Sequence, residues 1–328
     1  MNRLRRHLCA VALSSLCFPA FAGEPSTLTF AIIAAGNPEQ VKRDWEPFLQ
    51  EMSQRIGVPV QALVSEKHSE LVEAMRQGKA QISMGNKLSL ELVETGVCKV
   101  FAQVVKKNGE RGYHSVLITR ADSPLNNLPD LLAQRGQYRF MNGDPKSTSG
   151  TLVPAFHVFS KNKTSPQQLF KSVATGNHQK NFDAVLKNET DVATNSSEFI
   201  DKMQTERPLD ARKIKVIWKS PLLPNDPVIL RNDLPDNIKN KIEKFFIQFG
   251  KNNPRQARIL DELSGWSGFR SSTNAQLIPI ADLELFHLLR TNELDSSRSA
   301  EERKKAYDNL ITRFSKLDLK LKLDAAAP

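Results

Sequence analysis

Asn142-Gly-Asp-Pro-Lys-Ser-Thr-Ser-Gly-Thr151 decides the reading of this chain, because it joins an apolar run ending at Met141 to an apolar helical run reaching Phe159. A strand that passes through such a turn into a helix is the αβ unit of an open sheet. Ligands of these sheets sit outside the carboxyl ends of the strands. Ser147, Thr148 and Ser149 stand at the helix start. First-turn N–H groups have no intrahelical acceptor and the helix dipole favours negative charge, so hydroxyls at this point suit an oxyanion. Gly150 lets the backbone approach closely. The same hydroxyls also suit simple N-capping, which needs no ligand.

The αβ rhythm extends in both directions. Leu28–Ile33 reads as a buried strand ended by Ala35-Gly-Asn-Pro38; residues 41–56 carry helical spacing and 58–64 a second strand. Ser69 caps a helix, 81–84 leads into Asn86, and another helix runs through Val93. This alternation predicts mostly parallel sheets. A strand at 113–118 and a turn at Arg120-Ala-Asp-Ser-Pro124 open a second αβ series. It continues through 128–133, 138–141, 165–174, 181–186, 192–194 and 199–205 to a last strand at 214–218. Helices are predicted at 236–249 and 254–263, with a charged, exposed one at 300–319.

Arg3, Arg5 and Arg6 precede an apolar run from Leu8 to Phe21, and Ala20-Phe-Ala22 offers a cleavage site before Gly23. This is the pattern of an export signal, about 14 apolar residues long and short of the roughly 20 that span a bilayer. Bulky Leu16 argues against lipidation at Cys17. Removing 22 of the 328 residues leaves 306, enough for two lobes, and lowers the formal charge from +10 to +7. Cys9 and Cys17 leave with the signal, so Cys98 has no disulfide partner and reads as a buried small hydrophobe. The basic charge lacks the arginine-rich, aromatic-interleaved stripe of a nucleic-acid binder and better serves capture of a small anion.

Gly143-Asp-Pro-Lys-Ser-Thr-Ser-Gly150 followed by Leu152-Val-Pro154 resembles the phosphonate-binding proteins of ABC transporters. The likeness runs from Phe30 to about Phe286. It includes Trp45-Glu-Pro-Phe-Leu49, Gly112-Tyr113, Asp122-Ser-Pro124, Asp191-Val-Ala-Thr-Asn195 and Val216-Ile-Trp-Lys-Ser-Pro221. The resemblance implies an α/β, type II periplasmic binding protein fold, two αβ lobes with a ligand cleft between them and a two-strand hinge. Lobe 1 would comprise 23–119 and 220–295, lobe 2 120–219, and 296–328 a charged C-terminal helix and tail. It further implies that Ser147, Thr148, Ser149 and His178, in Gly176-Asn-His178, hold phosphonate oxygens. Glu198 and Asp226 match carboxylates that hold the amine of aminoalkylphosphonates, and Tyr113 a ligand-facing tyrosine. Without the resemblance, His178 is a loop histidine bonded to backbone, Glu198 a capping acid, Asp226 a turn residue and Tyr113 a core tyrosine.

Two departures fall on one wall. His68, in Glu66-Lys67-His68, stands where relatives place a tyrosine; it keeps a hydrogen-bond donor and adds a titratable group. Ser83-Met84-Gly85-Asn86 stands where relatives carry Trp-Tyr-Gly-Asn, so an aromatic wall is missing. The implied partners are a phosphonate or related oxyanion and an ABC permease of the inner membrane, with no cofactor, no metal and no nucleic acid. A sensor docking on a membrane receptor would use the same lobes. An enzyme on phosphate esters is the other alternative, but the sequence has no Gly-x-Ser-x-Gly elbow, Asp-x-Asp or His-x-x-x-His.

Overall fold

The computed structural model describes residues 25–107 and 109–326, so the export segment, Cys9, Cys17 and the cleavage after Ala22 lie outside the described residues. The chain starts with β1 (Leu28–Ile33), α1 (Pro38–Ile56), β2 (Val60–Ser65), α2 (His68–Arg76), β3 (Ile82–Met84), α3 (Asn86–Glu94) and β4 (Cys98–Lys106). Local chemistry sets the boundaries of α1: Asn37 Oδ1 accepts from the N–H of Gln40, Pro38 occupies the first turn, and Gly57 ends the helix at φ 81°. The α2 helix begins at His68, one residue before the expected Ser69 cap, and has no side-chain cap. Ser65 Oγ instead accepts from Lys67 N–H and donates to Glu70, which fixes the turn one step earlier.

The chain then crosses through β5 (Gly112–Tyr113) into β6 (Ser115–Arg120), α4 (Leu128–Ala133) and β7 (Arg139–Asn142). The single strand expected at 113–118 is thus broken at His114, whose Nδ1 pairs with the Ser220 carbonyl at 2.8 Å. Two wide helical turns, Thr148–Leu152 and Ala155–Ser160, precede α5 (Pro166–Leu169) and β8 (Ser172–Thr175). There follow α6 (His178–Leu186), β9 (Val192–Ser196), α7 (Ser197–Glu206), α8 (Pro208–Ala211) and β10 (Ile214–Lys219). The return passes through β11 (Leu223–Pro224) into β12 (Pro227–Arg231), α9 (Asp236–Gln248), α10 (Pro254–Ser264) and β13 (Trp266–Ser271). Helices α11 (Ile278–Leu294) and α12 (Ala300–Ala326) complete the described residues.

The strand at 214–218 is therefore not the last. The first sheet has the order β13-β4-β12-β3-β1-β2 and the second β10-β6-β9-β7-β8. Neither is mostly parallel: β12 runs antiparallel to β3 and β4, as β6 does to β9 and β10. The reason is the double crossing, because the first strand after each passage enters its sheet from the side of the other lobe. Antiparallel β5 and β11 join the lobes, pairing Tyr113 with Leu223.

Each sheet buries both faces. Phe30, Ile32, Val228 and Leu230 face α1, α9 and α10, whereas Ala31, Val100 and Ile229 face α2, α3 and α11, as strand alternation requires. Cys98 lies in the second layer as a buried free thiol, pushed up to about 12 by desolvation. The expectation of an exposed C-terminal helix fails: Phe314, Leu317 and Leu321 of α12 are buried in that same layer. Charged residues dominate its sequence, but a narrow apolar stripe suffices to dock it.

Candidate functional site

The carboxyl ends of β1, β2, β3, β7, β8 and β9 converge on one cavity of about 550 Å³ between the lobes. All eight residues singled out from sequence line it: His68, Tyr113, Ser147, Thr148, Ser149, His178, Glu198 and Asp226. They come from six separate stretches spread over the first lobe, the second lobe and the crossing. No local sequence signal places them together.

One end is built from neutral hydrogen-bonding groups. The hydroxyl turn is wound more widely than an α-helix, with Leu152 N–H donating to Ser147 O at 3.1 Å, five residues back. It is held shut by glycines: Gly143 N–H donates to Gly150 O at 3.0 Å, and a Cβ on Gly143 would lie 2.5 Å from Gly150 Cα. Ser147 Oγ accepts from Gly150 N–H at 3.0 Å, so it does cap, with its hydroxyl hydrogen left to donate. Thr148 Oγ1 accepts from Lys87 N–H across the cleft at 3.0 Å. Ser149 Oγ lies 3.3 Å from His178 Nε2. His178 begins α6, where desolvation lowers its pKa to about 4, and its Nδ1 is buried without a partner among the described residues. A neutral imidazole and hydroxyls at two helix starts can donate to an oxyanion without bringing a competing buried charge.

The next wall carries the carboxylates. Asp226 Oδ1 accepts from Asn86 Nδ2 at 2.8 Å and makes no ion pair among the described residues. Burial, aided by the Glu198 charge, raises its pKa to about 7. Asn86 also donates to Pro224 O at 3.0 Å and reaches the Tyr113 hydroxyl at 3.5 Å, tying α3 to the crossing strands. Burial, with Asp226 and Glu198 nearby, raises the Tyr113 phenol well above its ordinary value. Glu198 differs: Lys106 Nζ, from the first lobe, lies 3.1 Å from Oε1, although desolvation still raises the carboxyl. The resemblance gives both carboxylates the same task, holding a ligand amine, which suits a carboxylate with no salt bridge of its own. Asp226 makes no salt bridge among the described residues, whereas Glu198 is paired with Lys106, on a strand that the sequence reading does not include.

His68 is less a pocket wall than a bridge, since its Nδ1 pairs with Asp144 Oδ1 of the other lobe at 3.1 Å. The aromatic surface missing around Gly85 is supplied elsewhere in the cavity by Trp45, Trp266 and Phe199. Further contacts close the lobes on each other: Lys180 to Glu66 at 2.7 Å, Lys146 to Glu91 at 2.8 Å, and Gln179 N–H to Ala35 O at 2.9 Å. Asp144 and Lys146 lie inside the quoted turn, but their partners in the other lobe are visible only in three dimensions.

Residues 30–277 match the family described as "ABC transporter, phosphonate, periplasmic substrate-binding protein". The chain belongs to this family. A phosphonates-binding periplasmic protein of Escherichia coli is 44% identical over 277 residues, covering 84% of this chain and 81% of the relative. The crystal structure of a binding protein component of an ABC phosphonate transporter from Pseudomonas aeruginosa superposes with a TM-score of 0.84 at 38% identity, over 90% of this chain and 98% of the other. A Prochlorococcus marinus protein solved with methylphosphonate shares the fold, with a TM-score of 0.71 at 18% identity, over 79% of this chain and 97% of that one. The chain is thus the periplasmic phosphonate-binding component of an ABC transporter and not an enzyme, and its α/β fold is that of the two-lobed binding proteins.

Proposed function

We propose that the ligand is an alkylphosphonate bearing an ammonium group, its head held by Ser147, Thr148, Ser149 and His178 and its amine by Asp226. The observation that carries this reading is Asp226, a buried carboxyl in the cleft wall that makes no salt bridge among the described residues and feels Lys106, which is paired with Glu198, only as a weaker field. Ionising such a group is costly, and a bound ammonium offsets that cost. Glu198 has its own cation and contributes mainly field. A permease of the inner membrane is the partner that receives the closed, loaded form; the many contacts across the cleft support recognition of closure.

Competition calorimetry tests the reading. Aminoethylphosphonate should bind more tightly than ethylphosphonate or phosphate. Thr148→Ala should weaken all three by about 1–3 kcal/mol, the cost of a lost hydrogen bond to a charged group. Asp226→Asn should abolish the amine preference and spare ethylphosphonate. Equal affinity of ethylphosphonate and its amino analogue in the wild type would refute the amine assignment.

A further inference from the structure

The cavity is longer than a two-carbon aminophosphonate needs. From Glu198 its lining continues along α7 through Phe199, Lys202, Met203 and Glu206. Glu198, Lys202 and Glu206 are spaced four apart and share one helix face, so the open wall extends about 12 Å at the helical rise. On the opposing lobe Gln40, Val41, Asp44 and Trp45 repeat that spacing along α1, and Leu263, Ser264 and Trp266 close the trough between them. Its walls are substantially apolar: Trp45 and Trp266 meet edge-on at 5.9 Å, and both are buried along with Phe199, Met203 and Leu263. Acids outnumber bases at the rim, where Asp44, Glu206 and Glu262 face Lys202. Lys202 reaches Asp44 across the trough only at 3.9 Å, a loose bridge that a ligand can part. A volume of about 550 Å³ falls in the range that encloses drug-sized molecules.

We propose that this trough receives the organic substituent of a larger phosphonate, one whose amine carries a further alkyl or aryl group. The inference rests on the phosphonate reading above. The head stays in the hydroxyl turn, the ammonium stays beside Asp226, and the added group lies along α7 between Trp45, Phe199 and Met203. The acidic rim tolerates a cationic substituent and disfavours an anionic one.

Calorimetry with aminoethylphosphonate and its N-butyl derivative tests this. Wild type should bind the N-butyl compound at least as tightly as the parent; binding about tenfold weaker or worse would overturn the proposal, being the discrimination expected of a site lacking room for added carbons. Ser264→Trp at the exposed rim and, independently, Val41→Trp on the half-buried face of α1 fill the trough without touching the head. Each folded variant should lose about tenfold or more in N-butyl affinity while holding the parent within about threefold. Undiminished N-butyl binding in both would also overturn it. Thr148→Ala separates the two readings. If that variant binds the parent as wild type does, the head assignment has failed; if it weakens both ligands while the plugs discriminate nothing, only the trough has failed.

Discussion

At Asp226 the carboxyl titrates near 7 instead of the ordinary 3.8, because burial and the Glu198 charge oppose ionisation. A folded-state pKa above the unfolded value means that the group favours folding below 3.8 and that this contribution is lost as pH rises through about 7. Binding of an ammonium reverses the penalty and lowers the pKa, so the ligand expels a proton. Near pH 6 roughly one proton should leave per ligand and near pH 8 almost none. Calorimetry in buffers of different ionisation enthalpy measures this, and Asp226→Asn should show no such release. Lys106 gives the second prediction at this scale. Its Nζ, on a side chain only 6% exposed, occupies Glu198. Lys106→Met frees that carboxylate for the ligand, so affinity for aminoethylphosphonate should rise about tenfold relative to ethylphosphonate, the worth of one charge-assisted hydrogen bond. An equal fall for both ligands would instead make Lys106 a strut between lobes.

Among the elements, those that advertise themselves locally were legible: α1 through Asn37, Pro38 and Gly57, and α7 through Ser196, whose Oγ accepts from Phe199 N–H. The hydroxyl turn was legible too, since strand, glycines and hydroxyls are contiguous there. What sequence missed depends on partners far along the chain. Strand β4 carries Lys99, Gln103 and Lys106 amid its apolar residues, which blurs any alternation. Its hydrogen-bonded neighbours are β12 and β13, more than a hundred residues away. Lys106 was lost with it, and so was the asymmetry of the two carboxylates. Helix α11 is apolar on several faces because it packs against α12 and also reaches the second lobe, where Phe286 stacks on Phe156 at 5.5 Å. The charged composition of α12 hid the stripe that buries Phe314 to 4% exposure. Phe314→Ala should therefore cost about 3–5 kcal/mol in urea denaturation, the range for truncating a buried aromatic. A loss below about 0.5 kcal/mol, typical of surface positions, would return α12 to the solvent-exposed role its charges suggest.

For the whole molecule, capture depends on two lobes meeting, and among the described residues the regular pairing between the crossing segments is that of β5 with β11. Gly112 sits in this pair with no room for a side chain: a Cβ there would stand 1.9 Å from the Leu223 carbonyl oxygen. Backbone atoms cannot yield as a side-chain tip can, so Gly112→Ala must push the two strands apart and change the angle at which the lobes meet. The closed state is fixed by geometry over many bridges, His68 to Asp144, Lys180 to Glu66 and Lys146 to Glu91 among them. A tilted hinge keeps several from forming together. The competent fraction falls, and apparent affinity falls with it by the same factor for every ligand. The cost should be about 1–3 kcal/mol, the usual range for forcing extra volume into a packed site. Aminoethylphosphonate and ethylphosphonate should therefore both bind more weakly in Gly112→Ala, with their ratio unchanged, and X-ray scattering should record a smaller contraction on adding ligand. A change in that ratio would place Gly112 in recognition through Tyr113 beside it, and an undiminished contraction would show that closure does not turn on this strand pair.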